Sequence, residues 1–172
     1  FFRQTRVGLG GREFDLMKFR SMVVDADAML SELIEHNEND PASVRQQLGT
    51  AAAELLGEVL QPGDVLGLPW SRNVHAMVSA LTSLPPVEVV QLTGAIALPD
   101  LDSSAVDIVR RASRVAGGRA TVFYAPFVMD SKASADTLRR QPEVAEGLAR
   151  AAAVTTAVVG IGRWAPGEST LH

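Results

Sequence analysis

Four stretches of the chain share one pattern, an apolar β-branched run that stops at a polar, Gly- or Pro-containing turn: Val65–Asn73 (VLGLPWSRN), Val87–Gly94 (VEVVQLTG), Ala120–Pro126 (ATVFYAP) and Thr156–Arg163 (TAVVGIGR). Helical patterns separate them. A parallel neighbour can be reached only through a crossover, so buried strands alternating with helices predict a parallel α/β sheet. Ligands of such sheets collect outside the carboxyl ends of the strands. All four polar turns fall at that edge. The residues Trp70 to Asn73, Gln91 to Gly94, Tyr124 to Pro126 and Gly160 to Arg163 are therefore expected to face one crevice.

The helical patterns between these runs carry their own stop signals. Pro41 to Leu60 places Val44, Leu48, Ala51, Ala52, Leu55, Leu56, Val59 and Leu60 at helical spacing, and Gln61-Pro-Gly-Asp64 ends it. This helix is expected to cover the sheet. Ser71 is placed to cap the next helix, with Val74, Met77, Val78 and Leu81 inward and Leu84-Pro-Pro86 as the stop. A third helix is predicted from Ser103 or Ser104 to Ala116, closed by Gly117-Gly118 in a left-handed cap. Residues 131–153 hold one or two more, split at Gln141-Pro142.

Residues 1–40 differ from the rest. Four of the six Phe fall within residues 1–19, and two strand-like pieces, Phe1 to Val7 and Arg12 to Met22, interleave Arg and Lys with apolar side chains around Gly8-Leu-Gly-Gly11. That is a hairpin signal. An acidic helix from about Asp25 to His36 follows, broken by Asn37-Glu-Asn-Asp-Pro41.

Composition narrows the function classes. The 172 residues with 47% hydrophobic content suit one α/β core, alone or with an appendage. No Cys occurs, which excludes disulfides, thiolate metal sites and Cys nucleophiles and fits a reducing cytoplasm. A net charge of −4 argues against nucleic-acid binding through this segment, so any DNA contact must come from elsewhere. No apolar run reaches the roughly 18 residues that span a bilayer, and no signal peptide precedes the first folded stretch. The missing initial Met and the abrupt end after Ser169-Thr-Leu-His172 read as a fragment.

The turn Gly67-Leu-Pro-Trp-Ser-Arg-Asn-Val74 carries the clearest chemistry. It joins a buried strand to a helix N-terminus, whose free N–H groups and positive dipole end attract a phosphate or carboxylate. Ser71 and Asn73 add donors there and Arg72 adds charge. The plainer reading is an ordinary N-cap with a surface Arg and Trp70 as a packing anchor. No Gly-x-x-x-x-Gly-Lys-Ser/Thr is present, and Gly8-x-Gly-Gly lacks a βαβ context, so NTP hydrolysis is disfavoured. His36, His75 and His172 lie in separate elements without an i, i+4 partner, and no metal site is expected. Asp100 and Asp102 read as a turn and helix cap, or as the base of a sugar isomerase; Asp130 and Lys132 read as loop residues at the cleft rim. No catalytic residue and no cofactor is assigned.

Residues 41–172 resemble the sugar-binding effector domain of SorC-type bacterial transcriptional regulators, through Leu48-Gly-Thr-Ala-Ala52, Gly63-Asp-Val-Leu-Gly-Leu-Pro-Trp-Ser-Arg72, Val89-Val-Gln-Leu-Thr-Gly-Ala95, Tyr124-Ala-Pro126 and Gly160-Ile-Gly162. The resemblance implies a Rossmann-like parallel sheet flanked by helices, related to sugar-phosphate isomerases. It also implies a sugar or phosphosugar effector, a homo-oligomer, and DNA contact only through an N-terminal domain absent from this chain. Carried over by position, the effector residues are Trp70, Ser71, Arg72 and Asn73, with Gln91, Thr93, Gly94, Gly160, Gly162 and Arg163 lining the same cleft; Tyr124 and Pro126 join them from the third turn. Ser71 and Asn73 stand where many relatives have Gly and Thr.

Residues 1–40 resemble bacterial sugar transferases, the polyprenyl-phosphate glycosyl-1-phosphate transferases, in Phe1-Phe-Arg-Gln-Thr-Arg-Val-Gly8, Gly11-Arg-Glu-Phe14 and Lys18-Phe-Arg-Ser-Met22. What that resemblance implies is a membrane-associated transfer of sugar phosphate to a lipid phosphate, with Asp25 and Asp27 nearest to the family's acidic pair. The family's preceding hydrophobic segment and downstream motifs are missing, so activity from this piece is not expected. The two resemblances meet near Asp40-Pro41. The expected organisation is a sugar-transferase-like hairpin and helix appendage at 1–40 and a partial effector domain at 41–172, non-enzymatic and cytoplasmic. A fragment of a sugar-phosphate transferase and a sugar-phosphate isomerase are the alternatives.

Overall fold

The computed structural model describes residues 2–7, 12–18, 41–95 and 104–160. Contacts divide the chain into two units, Phe1–Asp40 and Pro41–His172. In the first, β1 (Phe2–Val7) pairs antiparallel with β2 (Glu13–Lys18). Thr5 stands opposite Asp15, and its hydroxyl donates to the carboxylate at 3.0 Å. The expected Gly-rich turn and the helix from Asp25 to His36 lie outside the described residues.

In the second unit, α1 (Pro41–Val59) leads to β3 (Val65–Leu68), α2 (Arg72–Ala80), β4 (Glu88–Gln91), α3 (Ala105–Ala116), β5 (Ala120–Thr121), α4 (Lys132–Arg139), α5 (Pro142–Ala151) and β6 (Thr156–Ala157). The four strands form one parallel sheet in the order β5-β4-β3-β6. The chain steps in one direction from β3 to β4 to β5, then returns through α4 and α5 to the far side of β3. Right-handed crossovers put helices on one sheet face for the outward steps and on the other for the return. In keeping with this, α2 packs on α3, α4 packs on α5, and both α3 and α5 pack on β4.

Local chemistry accounts for the helix ends. Ser104 and Asp107 form a capping box, each side chain bonding the other's backbone N–H, and the Ser104 hydroxyl and backbone hold the Asp107 carboxyl below the ordinary aspartate range. Gly117 closes α3 at φ 65°, a left-handed conformation that costs glycine nothing. Gly118 runs so close to Val87 that a Cβ there would lie 1.9 Å from its carbonyl oxygen. Ser131 caps α4, and Pro142 occupies the first turn of α5, where its missing N–H has no partner to lose.

The main core joins Leu66, Leu68 and Val89 of the sheet to Val74, Met77, Val78, Ile108, Val109 and Ala112 of the helices. The sequence expectation that α1 covers the sheet needs correction. Its backbone stacks on α2, and a Cβ on Gly49 would sit 2.7 Å from the Ala76 carbonyl carbon, so the absent side chain permits that approach. Only from there do Ala53, Leu56 and Leu60 reach the core. An apolar stripe demands burial but does not name its partner. A smaller cluster of Phe123, Ala125 and Val144, with Leu138 against it, forms separately under α4 and α5.

Candidate functional site

The chain reverses its direction across the sheet between β3 and β6, and in open α/β sheets the crevice beyond the strand ends at such a reversal is the binding position. The Pro69–Asn73 turn stands there. Ser71 caps α2 by accepting the Val74 N–H at 3.0 Å, while Arg72 and Asn73 are exposed on the first turn, which contains no acidic residue. Gly160, beyond β6, approaches the same cap: a Cβ on it would be 3.0 Å from Ser71 Oγ. First-turn N–H groups, a positive dipole end and an exposed guanidinium thus stand together, with no acidic residue in the helix's first turn.

The neighbouring turn is tied to this one. Trp70 packs half-buried on the main core and donates its backbone N–H to Thr93 Oγ1 at 3.0 Å. Leu92 donates to the Leu68 carbonyl at 3.0 Å, and Val158 donates to that of Gly67 at 3.1 Å, so the exits from β4 and β6 flank the exit from β3. Gln91 is 1% exposed. Its amide donates to the carbonyls of Thr93 at 2.8 Å and Phe123 at 3.1 Å and accepts the Phe123 N–H at 3.3 Å. Gln91 is thereby a link between strand ends, with both amide hydrogens engaged.

Thr93, Gly94 and Pro126 border a cavity of about 230 Å³ on the α4–α5 side, walled by Phe127, Met129 and Leu138 with Arg139 at its edge. Gly94 fits there because a Cβ would meet the Pro126 carbonyl oxygen at 2.5 Å. A parallel bridge between Ala95 and Pro126 holds the two loops together. Tyr124 stands apart. It is 71% exposed, and its hydroxyl accepts from Arg110 of α3 at 3.3 Å, while its neighbours Phe123 and Ala125 face the cavity. Strand alternation sends adjacent residues to opposite faces. Gly162 and Arg163 lie outside the described residues, as do Asp100 and Asp102.

Of the sequence-derived site, the structure brings together Trp70, Ser71, Thr93 and Gly160, with Arg72 and Asn73 on the solvent side. Gly94 and Pro126 border the adjoining cavity. Sequence reading missed that cavity's walls, although the apolar alternation Phe123, Ala125, Phe127, Met129 continues through the Tyr124–Pro126 turn and signals them. Lys132 opens α4 and pairs with Asp136 one turn on, and His75 is half-buried in α2. Among the described residues, no cluster of His, Asp or Glu has metal-ligating geometry. No described helix is long and apolar enough to cross a membrane.

The family described as "Putative sugar-binding domain" matches residues 30–172. The chain belongs to this family. The chain is 32% identical over 110 residues to the Uncharacterized transcriptional regulator YjhU of Escherichia coli (strain K12), a match covering 60% of this chain and 32% of that protein. The sorbitol operon regulator SorC of Klebsiella pneumoniae superposes with a TM-score of 0.65 at 17% identity, over 83% of this chain and 53% of that one. The probable sor operon regulator of Shigella flexneri gives 0.68 at 24% identity, over 75% and 57%. These structures share the domain's fold, and the chain spans only about half of their length. A second family, bacterial sugar transferase, matches residues 1–52 and overlaps the first match over residues 30–52, a stretch that contains the division between the two structural units.

Proposed function

We propose that residues 41–172 are part of the effector-binding module of a bacterial transcriptional regulator, and that its effector is a phosphorylated sugar held at the carboxyl edge of the sheet. The observation that carries this reading is the Ser71-capped N-terminus of α2 beside Gly160, with Arg72 and Asn73 exposed and no acid in the helix's first turn. Phosphate oxygens take the free N–H groups of α2 and the Arg72 guanidinium, and the sugar lies over the exits of β3, β4 and β6. Trp70, Ser71, Thr93, Gly94, Pro126 and Gly160 shape this edge, and Gly162 and Arg163 follow Gly160 in the sequence. Membership of the sugar-binding family supports the ligand class, and the likeness to transcriptional regulators supports the setting, with DNA contacted by another domain and the protein acting as a cytoplasmic oligomer. The transferase and isomerase readings are not favoured, since the sugar-binding family match spans the α/β unit.

Isothermal calorimetry with matched pairs of free and phosphorylated hexoses and pentoses tests the proposal. The phosphate of each responding pair is expected to bind more tightly. Equal affinity for both members would leave a neutral polyol site and remove the anion-cradle argument.

We further propose that residues 1–40 form a separate sugar-transferase-like appendage. Deleting them is expected to leave amide protection in Val65–Leu68 and Glu88–Gln91 unchanged in hydrogen exchange. Loss of that protection would make the appendage an integral part of the α/β fold.

A further inference from the structure

We propose that Gln91 and Thr93 are positioning residues that set the geometry of the Trp70–Asn73 turn, through a relay that starts buried at Phe123 and runs by way of the Gln91 amide and the half-buried Thr93 to the Trp70 N–H. The functional consequence rests on the reading of that turn as the effector site; the relay itself does not.

The Gln91 side chain has its orientation dictated by its partners. Two carbonyl oxygens, those of Thr93 and Phe123, lie 2.8 and 3.1 Å from one end, and only an NH₂ group can satisfy both. The other end meets the Phe123 N–H at 3.3 Å, which requires the amide oxygen. With both hydrogens spent and 1% exposure, Gln91 has no donor left for a ligand. It instead holds the Thr93 carbonyl in place.

Thr93 is gripped on its other side as well. The following residue, Gly94, lies so close to Pro126 that a Cβ would reach the carbonyl oxygen at 2.5 Å, and Ala95 donates to the Ala125 carbonyl at 2.7 Å. The Thr93 hydroxyl is thus presented from a backbone fixed at both ends, and it accepts the N–H of Trp70, the residue just before the α2 cap. A shift of the β5 exit moves Thr93, and Thr93 moves Trp70 and Ser71. Conversely, a ligand seated on Ser71 and Arg72 pulls on the loops that wall the cavity under α4 and α5.

The test uses the full chain carrying Trp164→Phe, so that Trp70 is the single tryptophan and reports on its own turn. Thr93→Val keeps the side chain's shape and removes the acceptor. It is expected to shift Trp70 emission, to speed exchange of the Trp70 amide by about three- to tenfold, and to weaken glucose 6-phosphate binding by a similar factor, the span of one neutral hydrogen bond. Thr93→Ser restores all three readouts. Thr121→Val, which removes the hydrogen bond to Glu88 at the amino end of β4 and leaves the Gln91–Phe123 bonds in place, lowers stability and leaves Trp70 emission and exchange as they were. Unchanged Trp70 signals in Thr93→Val, or no recovery in Thr93→Ser, overturn the relay. Should the unsubstituted chain bind no sugar phosphate, the effector reading fails, and the relay is judged by exchange and emission alone.

Discussion

The two ends of β4 are clamped by opposite means. At the amino end Glu88, with 15% of its side chain exposed, accepts the Thr121 hydroxyl at 2.6 Å and a two-pronged guanidinium contact from Arg150 of α5. Three residues along the same strand, Gln91 links to Thr93 close by and to Phe123 across 32 residues with a neutral amide that water scarcely reaches. The difference follows from solvent. Arg150 is 39% exposed, so the charges at the amino end keep part of their hydration. A charge at Gln91 would lose nearly all of its hydration, a cost that a neutral amide with every donor satisfied avoids. The fastening of α5 to the sheet is therefore ionic and sensitive to pH. That of the candidate site is neutral, and its cations, Arg72 and Arg139, stand at the rim.

The sharpest way to break this comparison is Gln91→Glu, which removes both donors and sets a carboxyl against two carbonyl oxygens. Denaturant titration at neutral pH is expected to show a loss of about 3–5 kcal/mol, the cost of an uncompensated buried charge. The loss should shrink as pH falls, since protonation restores one donor. A change below about 1 kcal/mol would mean that the carboxyl end tolerates charge as the amino end does.

Arg72→Ala probes the rim. Phosphosugar affinity should fall by about 1.5–3 kcal/mol, the worth of a charge-assisted hydrogen bond, with the melting temperature scarcely altered because the side chain is exposed. A marked drop in melting temperature would assign Arg72 to the fold instead of the ligand.

Glu88→Gln tests the ionic end and is expected to have the smallest effect at neutral pH, since the glutamine still accepts from Thr121. The Arg150 hydrogen bonds hold the Glu88 carboxyl below the ordinary glutamate value, burial opposes them, and the Thr121 hydroxyl adds to the lowering. A depressed folded-state pKa stabilises the protein above the unfolded-state value, and that contribution disappears as pH falls through the folded-state one. The unsubstituted protein should therefore lose stability through this acidic window, and Glu88→Gln should flatten that limb of the pH profile. Identical profiles would show that the ion pair contributes nothing measurable.

Ser71, Ser104, Gly117 and Pro142 were legible in the chain as helix boundaries, because a cap depends on contacts within a few residues. The alternation of strands and helices likewise determined a parallel sheet and the edge at which its polar turns gather. The role of Gln91 was not legible: Phe123, its partner, lies 32 residues away, and no local pattern distinguishes a buried link from a ligand contact. The sequence expectation set Tyr124 at the crevice, whereas it is exposed and its neighbours Phe123 and Ala125 face the cavity; which face borders the cavity depends on the return crossover through α4 and α5. Nor could the apolar stripe of α1 reveal that its backbone would stack on α2. By itself, the sequence determined the elements, their caps and the family to which they belong, all encoded in short-range geometry. Strand order, the pairing of distant polar groups and the meeting of Ser71 with Gly160 were decided only by the tertiary structure, because each depends on which surfaces exclude water together once the whole sheet is assembled.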